Sequence, residues 1–357
     1  MRPLGIYLHV PFCTRRCGYC DFNTYTAAEL GGSVRAAGFA DVLVGEVRLA
    51  AQVLGADVRP VSTVFVGGGT PTLLGASGLT RLVDGVRAEF GLAPEAEVTT
   101  EANPDTVDRA LLDDLLVAGF TRISIGMQST APHVLAALDR THAPGAGQAA
   151  ARAALAAGFA HVSLDLIYGT PGERDEDLRG SVEDAVATGV DHVSAYALVV
   201  EDGTALARRV RRGEIAQPDD DVAAERYEIV DEVLGEAGLD WYEVSNWARP
   251  GGACRHNLAY WHDEDWWGAG PGAHSHIGGE RWWNVKHPAA YAERIAAGQS
   301  PAAEREQLTV RQRAMERVML GLRLAEGLPV EAIDPSAIRT ADQFAVDGLL
   351  DAAALAA

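Results

Sequence analysis

Along residues 1–197, short runs rich in β-branched and apolar residues alternate with longer stretches rich in alanine and leucine. This rhythm predicts strands separated by helices. The strand-like runs are 6–10, 63–66, 97–101, 123–128, 162–166 and 193–197. Three of the transitions repeat one another: Ala118-Gly119-Phe120-Thr121-Arg122, Ala157-Gly158-Phe159-Ala160-His161 and Thr188-Gly189-Val190-Asp191-His192. Each closes a helical stretch at a glycine, where a left-handed cap fits, and leads into a strand. Strands alternating with helices imply βαβ units and a parallel sheet. Six such units by Ala197 predict an α/β fold, a partial (β/α)6 barrel rather than a closed eightfold one. An open doubly wound sheet obeys the same pattern and is the alternative.

After residue 238 the pattern changes. All seven tryptophans lie between Trp241 and Trp283, with four of the ten histidines: His256, His262, His274 and His276. Pro250-Gly251-Gly252 and Gly268-Ala269-Gly270-Pro271-Gly272 add turns. The expected division is a core over 1–238 and a smaller Trp- and His-rich α+β domain over 239–357. Gln217-Pro218-Asp219-Asp220-Asp221 reads as an exposed helix start ahead of it. From 308 the tail reads as helical and alanine-rich, and it stops at Ala357 in mid-pattern, as a shortened C-terminus would.

Composition narrows the classes. The 357 residues suffice for one large domain and a smaller one, and 48% hydrophobic with 22% charged residues is ordinary for a folded chain. A formal charge of −20 argues against a generic groove for nucleic-acid phosphates. The densest basic run, Arg208-Arg209-Val210-Arg211-Arg212, is brief and reads as an exposed helix end. No run of about 18 apolar residues offers a membrane span, and the N-terminus leads straight into a strand rather than a signal peptide. Only four cysteines occur, three of them within eight residues. That clustering is wrong for a secreted disulfide framework and right for a metal site in a reducing compartment, so the cytoplasm is the expected location.

The clustered thiols form Cys13-x3-Cys17-x2-Cys20, directly after the first strand. Three thiolates on one loop suit three irons of a cubane cluster and leave the fourth iron open to a chelating ligand. The competing reading is a zinc site completed by a residue such as His9, but zinc sites favour a second cysteine pair at a distance, and none is present. Gly67-Gly68-Gly69-Thr70-Pro71 ends the second strand, where bare backbone either approaches a ligand or simply turns. Glu101, Gln128 and Asp165 stand near the C-terminal ends of later strands, the end of a parallel barrel where sites are built. Arg140 joins them in Leu138-Asp139-Arg140-Thr141-His142. A carboxylate such as Asp165, flanked by Leu164 and Leu166, costs free energy in a buried strand unless it is paired. It either caps the next helix or binds a ligand.

The segment Tyr7-Leu8-His9-Val10-Pro11-Phe12-Cys13-Thr14-Arg15-Arg16-Cys17-Gly18-Tyr19-Cys20-Asp21-Phe22 resembles the start of radical S-adenosylmethionine (SAM) proteins. More closely it resembles their coproporphyrinogen dehydrogenase-like branch and, within it, the HemW-type heme chaperones. The resemblance continues to about Trp283. It implies a [4Fe-4S] cluster on Cys13, Cys17 and Cys20, with SAM beside it. By the same resemblance Gly68, Gly69 and Thr70 meet the SAM amino group and Arg140 its carboxylate. Gln128 and Asp165 face the ribose hydroxyls, Tyr7 and Glu101 contact the same cofactor, and Tyr19 and Ala197 flank the adenosine. The implied chemistry is reductive cleavage of SAM to methionine and a 5′-deoxyadenosyl radical, with an electron donor reducing the cluster.

Further on, Cys254-Arg255-His256-Asn257-Leu258-Ala259-Tyr260-Trp261 contains His-Asn-x-x-Tyr-Trp, which resembles the heme-associated signature of HemW-type proteins. The resemblance implies a heme-binding segment over 254–276 with His256 as ligand, heme-accepting apoproteins as partners, and it is compatible with a homodimer. Read from the residues alone, the same aromatics equally form the core of a small domain with His256 hydrogen-bonded inside it, and Cys254 is either a ligand or a buried thiol. The competing function is an oxygen-independent coproporphyrinogen III oxidase. That branch carries a further cysteine two positions after the third, where Phe22 stands here, and an N-terminal extension; both departures favour the chaperone.

Overall fold

The computed structural model describes residues 2–32, 34–351 and 353, so Ala357 lies outside the described residues. Six strands, β1 (Leu4–Val10), β2 (Val61–Gly68), β3 (Leu92–Ala102), β4 (Arg122–Gln128), β5 (His161–Tyr168) and β6 (His192–Ala197), pair in parallel in the order in which they occur. Helices Phe39–Leu54, Gly75–Phe90, Arg109–Ala118, Ala146–Ala157 and Asp175–Val186 lie between them. Because the strand order never reverses, the winding is that of a barrel segment and not of a doubly wound sheet. Each expected strand lies inside an observed one. Gly119 and Gly158 take φ of 99° and 107°, and their N–H groups close the preceding helices on Leu115, Leu116, Ala154 and Leu155 carbonyls, as the repeat predicts.

The pleat sorts the side chains of these strands. Ile6, Leu8, Val64, Val66, Val98, Ile123, Ile125, Val162, Leu164, Val193 and Ala195 are buried in the core shared with the helices. Each fully buried Leu, Ile or Val contributes roughly 1.5–3 kcal/mol. The alternate positions, among them Tyr7, Thr99, Glu101, Arg122, Ser124, Ser163, Asp165, His192 and Ser194, point to the other face and enclose a polar cavity of about 220 Å³.

The strands that follow residue 238 do not make a sheet of their own. The hairpin β7 (Asp240–Glu243) and β8 (Asn246–Ala248) adds antiparallel to β6, while β9 (Asp265–Ala269) adds parallel to β1 and leads into β10 (His274–Ile277), β11 (Glu280–Asn284) and β12 (Ala302–Gln307). One 12-stranded sheet results. A partial barrel has two open edges with unpaired backbone groups, and β8 and β9 cover them. Glu46, fully buried on the helix Phe39–Leu54, fastens the second segment down: its carboxylate accepts from Trp267 Nε1 at 3.3 Å, Gly270 N–H at 2.8 Å, Asn284 Nδ2 at 2.9 Å and the Tyr291 hydroxyl. Asp219 caps the helix Asp220–Glu236, and the basic run ends the helix Ala205–Arg211, both as expected. The tail carries the helices Val310–Gly321 and Ile338–Val346. Among the described residues no helix is long and apolar enough to cross a membrane.

Candidate functional site

The loop after β1 carries the three clustered cysteines over the C-terminal ends of the barrel strands. It is pinned at both ends: Cys13 N–H donates to Tyr25 O at 3.0 Å and Tyr25 N–H to Pro11 O at 2.7 Å. The glycine run after β2 is bonded to the same loop, Gly69 N–H to Val10 O and Thr70 N–H to Phe12 O, each at 2.8 Å. A Cβ on Gly69 would press into the Phe12 carbonyl and lie 2.9 Å from Cys13 Sγ, so only glycine lets the two loops meet. Gly68, at φ 117°, donates its N–H to Glu101 Oε2 at 3.0 Å.

Cys13, Cys17 and Cys20 line one cavity of about 250 Å³ together with Tyr19, Gly68, Gly69, Thr70, Glu101, Gln128, Arg140 and Asp165. Sequence segments more than a hundred residues apart therefore converge as expected. Arg140 reaches across it, with Nη1 3.4 Å from Cys17 Sγ and Nη2 donating to Asn103 Oδ1 at 3.1 Å and Gly126 O at 3.2 Å. Gln128 owes its aim to a break in register between β4 and β5 at Gly126/Gln128, and it sits at φ 61°, a left-handed conformation costly for a side-chain-bearing residue. Two buried polar atoms of the cavity, Gln128 Oε1 and Arg140 Nε, have no partner among the described residues.

Electrostatics distinguishes the two acids. Burial, and then the neighbouring Asp165 carboxylate, push Glu101 up to about 8 against the Gly68 N–H. Burial pushes Asp165 up to about 6, against the hydroxyls of Ser124, Ser194 and Ser163 and the Arg140 charge; Ser124 Oγ donates to it at 2.7 Å. Glu101, Asp165 and Tyr196 line both this cavity and the polar one beneath it.

The donor set fits a cluster and a polar adenosine-type ligand. Three thiols share one cavity wall, burial raises the Cys13 thiol to about 11 and also raises Cys20, and iron is the kind of partner that deprotonates such thiols. The orphaned Gln128 and Arg140 atoms await acceptors and donors that a ligand would supply.

Three expected residues fall elsewhere. Tyr7 lines the lower cavity, its hydroxyl 3.0 Å from His9 Nδ1. Ala197 is exposed at the end of β6 and lines neither cavity, while its neighbour Tyr196 lines both. His256, only 1% exposed, also faces the lower cavity, with Nδ1 2.8 Å from Thr63 Oγ1 and Nε2 2.9 Å from the Tyr260 hydroxyl. Both ring nitrogens are engaged. In this structure His256 is a hydrogen-bonded histidine on the inner face of the barrel. Cys254 is buried beside it with its thiol 3.5 Å from Glu97 Oε1. Asn103, which holds both Thr70 Oγ1 and Arg140, escaped the sequence reading although it stands two positions after Glu101, in Glu101-Ala102-Asn103-Pro104.

A profile of the radical SAM superfamily matches residues 7–185. Over 350 residues the chain is 59% identical to the heme chaperone HemW of Mycobacterium tuberculosis, covering 98% of this chain and 89% of that protein. With the heme chaperone HemW of Escherichia coli it shares 39% identity over 275 residues, 77% of this chain and 70% of that one. The coproporphyrinogen III oxidase HemN from Escherichia coli, described as a radical SAM enzyme, superposes with a TM-score of 0.80 at 24% identity, over 96% of this chain and 80% of that chain; this likeness concerns the fold.

Proposed function

The chain belongs to the radical SAM superfamily and, within it, to the HemW family, and from that premise we propose that it binds heme and delivers it to acceptor proteins. The observation that carries the proposal is the likeness at 59% identity, over nearly the whole of both chains, to a protein named as a heme chaperone. In this reading residues 1–238 hold the cluster and SAM, and the segment 254–276 takes part in holding heme. Cys13, Cys17 and Cys20 would ligate the cluster, and the open iron would take SAM. Arg140 would pair with the SAM carboxylate, while Gln128 and Asp165 would bond the ribose. Once bound and reduced, this pair supplies one-electron cleavage of SAM. The chain's own residues orient the cofactor and keep water from it, and an external electron donor and heme-accepting apoproteins complete the partners.

Phe22 in place of a further cysteine favours this reading over coproporphyrinogen oxidation. The test is anaerobic. The cluster-reconstituted protein is loaded with hemin and mixed with an apo-hemoprotein, and separately incubated with SAM, a strong reductant and coproporphyrinogen III. Hemin binding, with transfer faster than release to buffer and no decarboxylated porphyrin, is the expected result. Turnover to decarboxylated porphyrin would replace the proposal with the oxidase.

A further inference from the structure

Arg140 carries a charge that nothing in direct contact with it neutralises. Its three contacts are Cys17 Sγ, Asn103 Oδ1 and Gly126 O, and none is a carboxylate. Acids nevertheless stand close by. Arg140, Asn103 and Cys17 line both the cluster cavity and a second cavity of about 300 Å³, whose wall includes Asp105 and Asp139. Asp139 is met by Arg15 at 3.6 Å, whereas the Asp105 charge is felt at Arg140. A guanidinium free to turn would pair with Asp105, and once paired it would take a ligand carboxylate only weakly.

Asn103 stands where it prevents that turn. It follows β3 and precedes Pro104, which confines it to extended backbone, here at φ −86° and ψ 144°. Its carbonyl accepts from Thr106 N–H at 3.0 Å and from Thr106 Oγ1 at 2.7 Å, and Thr106 Oγ1 also lies 2.7 Å from Thr72 Oγ1, just past the glycine run. With the main chain fixed, the amide is aimed. Arg140 has only donors, so Asn103 Oδ1 must face it, and Nδ2 is left to donate to Thr70 Oγ1 at 3.0 Å. One side chain thus ties together the loops that follow β2, β3 and the helix Pro132–Ala137. An aspartate at 103 would reach the same atoms but would neutralise Arg140, and an alanine would reach neither.

We propose that Asn103 is a positioning residue for SAM, a neutral clamp that keeps Arg140 charged and turned into the cluster cavity while it braces Thr70. The proposal rests on the SAM-binding reading above and adds to it a residue that holds the carboxylate site open.

Full chains reconstituted to equal iron content are titrated anaerobically with SAM by calorimetry, and the change in the electron paramagnetic resonance of the reduced cluster is followed over the same SAM range. Asn103→Ala is expected to bind SAM about tenfold more weakly, with its spectral change shifted to correspondingly higher SAM. Asn103→Asp keeps the shape of the side chain and can accept from both Arg140 and the Thr70 hydroxyl. It is nevertheless expected to bind more weakly still, by about thirtyfold or more against wild type. A residue that only held the turn would give the opposite order. Adding Asp105→Asn to Asn103→Ala removes the competing carboxylate and should recover at least about threefold. Asn103→Asp binding SAM as well as Asn103→Ala or better, or no recovery with Asp105→Asn, overturns the proposal and leaves the SAM site standing. Failure of the wild-type chain to bind SAM at full cluster content overturns both.

Discussion

The segment that carries His256 is held by one buried ion pair, and breaking it has a calculable cost. Glu97 on β3 and Arg122 on β4 meet at 3.1 Å with side chains 4% and 2% exposed. The Glu97 carboxylate also accepts the backbone N–H of Arg255 at 3.2 Å and of His256 at 3.1 Å, the first two residues of the helix Arg255–Trp261. Arg122 donates to the carbonyls of Gly252 and Ala253 at 2.8 and 3.1 Å. The pair thus seats the turn and the helix N-terminus together. Glu97→Gln leaves the guanidinium buried without a counter-charge, a loss of ~3–5 kcal/mol. At about 2.1 cal/mol/K per residue, unfolding of 357 residues carries an entropy near ~0.75 kcal/mol/K, so Tm falls by ~4–7 °C. In Glu97→Gln/Arg122→Met no charge remains, and the loss reduces to two carbonyls without donors, about 1 kcal/mol each, or ~3 °C. The double variant should therefore be more stable than the single one. Scanning calorimetry and urea unfolding under anaerobic conditions at equal iron content measure both. A double variant less stable than Glu97→Gln, or a single variant within about 1 °C of wild type, would refute the argument.

Cys17→Ser should abolish the iron–sulfur absorbance while leaving far-ultraviolet circular dichroism native, since Cys17 lies on a half-buried loop outside the core; full absorbance would remove it from the ligand set. Gly69→Ala should cut cluster occupancy severalfold, because its Cβ meets the Phe12 carbonyl and Cys13 Sγ; iron content per chain reads this, and unchanged loading counts against the close approach. Glu173, with its side chain 1% exposed and Oε1 without a partner among the described residues, is pushed up by burial to about 7 despite Arg226. Its folded pKa exceeds its unfolded value, so its stabilisation is complete below about pH 4.5 and is lost as pH rises to about 7, by ~3 kcal/mol at most. Urea midpoints at pH 5 and 7.5 should show that decline in wild type and a flatter response in Glu173→Gln; equal slopes would dismiss Glu173 as the source.

Local physics made much of this protein readable in one dimension. Glycines at 119 and 158 end helices wherever the chain stands, because a left-handed cap depends on the few residues around it. Three cysteines within eight residues share a loop for the same reason, and the strand-end positions of Glu101, Gln128 and Asp165 followed from the βα rhythm. Less legible was which polar residues look inward along the barrel. Arg122, Ser124, Ser163, His192 and Ser194 read as ordinary strand residues until the pleat aims them at one cavity.

What the sequence by itself determined is therefore the repeat, the alternation of strands and helices, the three-cysteine loop and the family, all of them carried by contiguous residues; the unreversed strand order that makes the sheet a barrel segment came from the structure. Tertiary structure alone decided the rest. His256 and His274 are both histidines of the same Trp-rich segment, yet β9 pairing with β1 and the Glu97 carboxylate draw the first into the barrel, where Thr63 and Tyr260 take its nitrogens. The turn after β9 leaves the second exposed on Trp283. Which partners an imidazole meets depends on residues up to 193 positions away in the chain, and no local pattern encodes that distance.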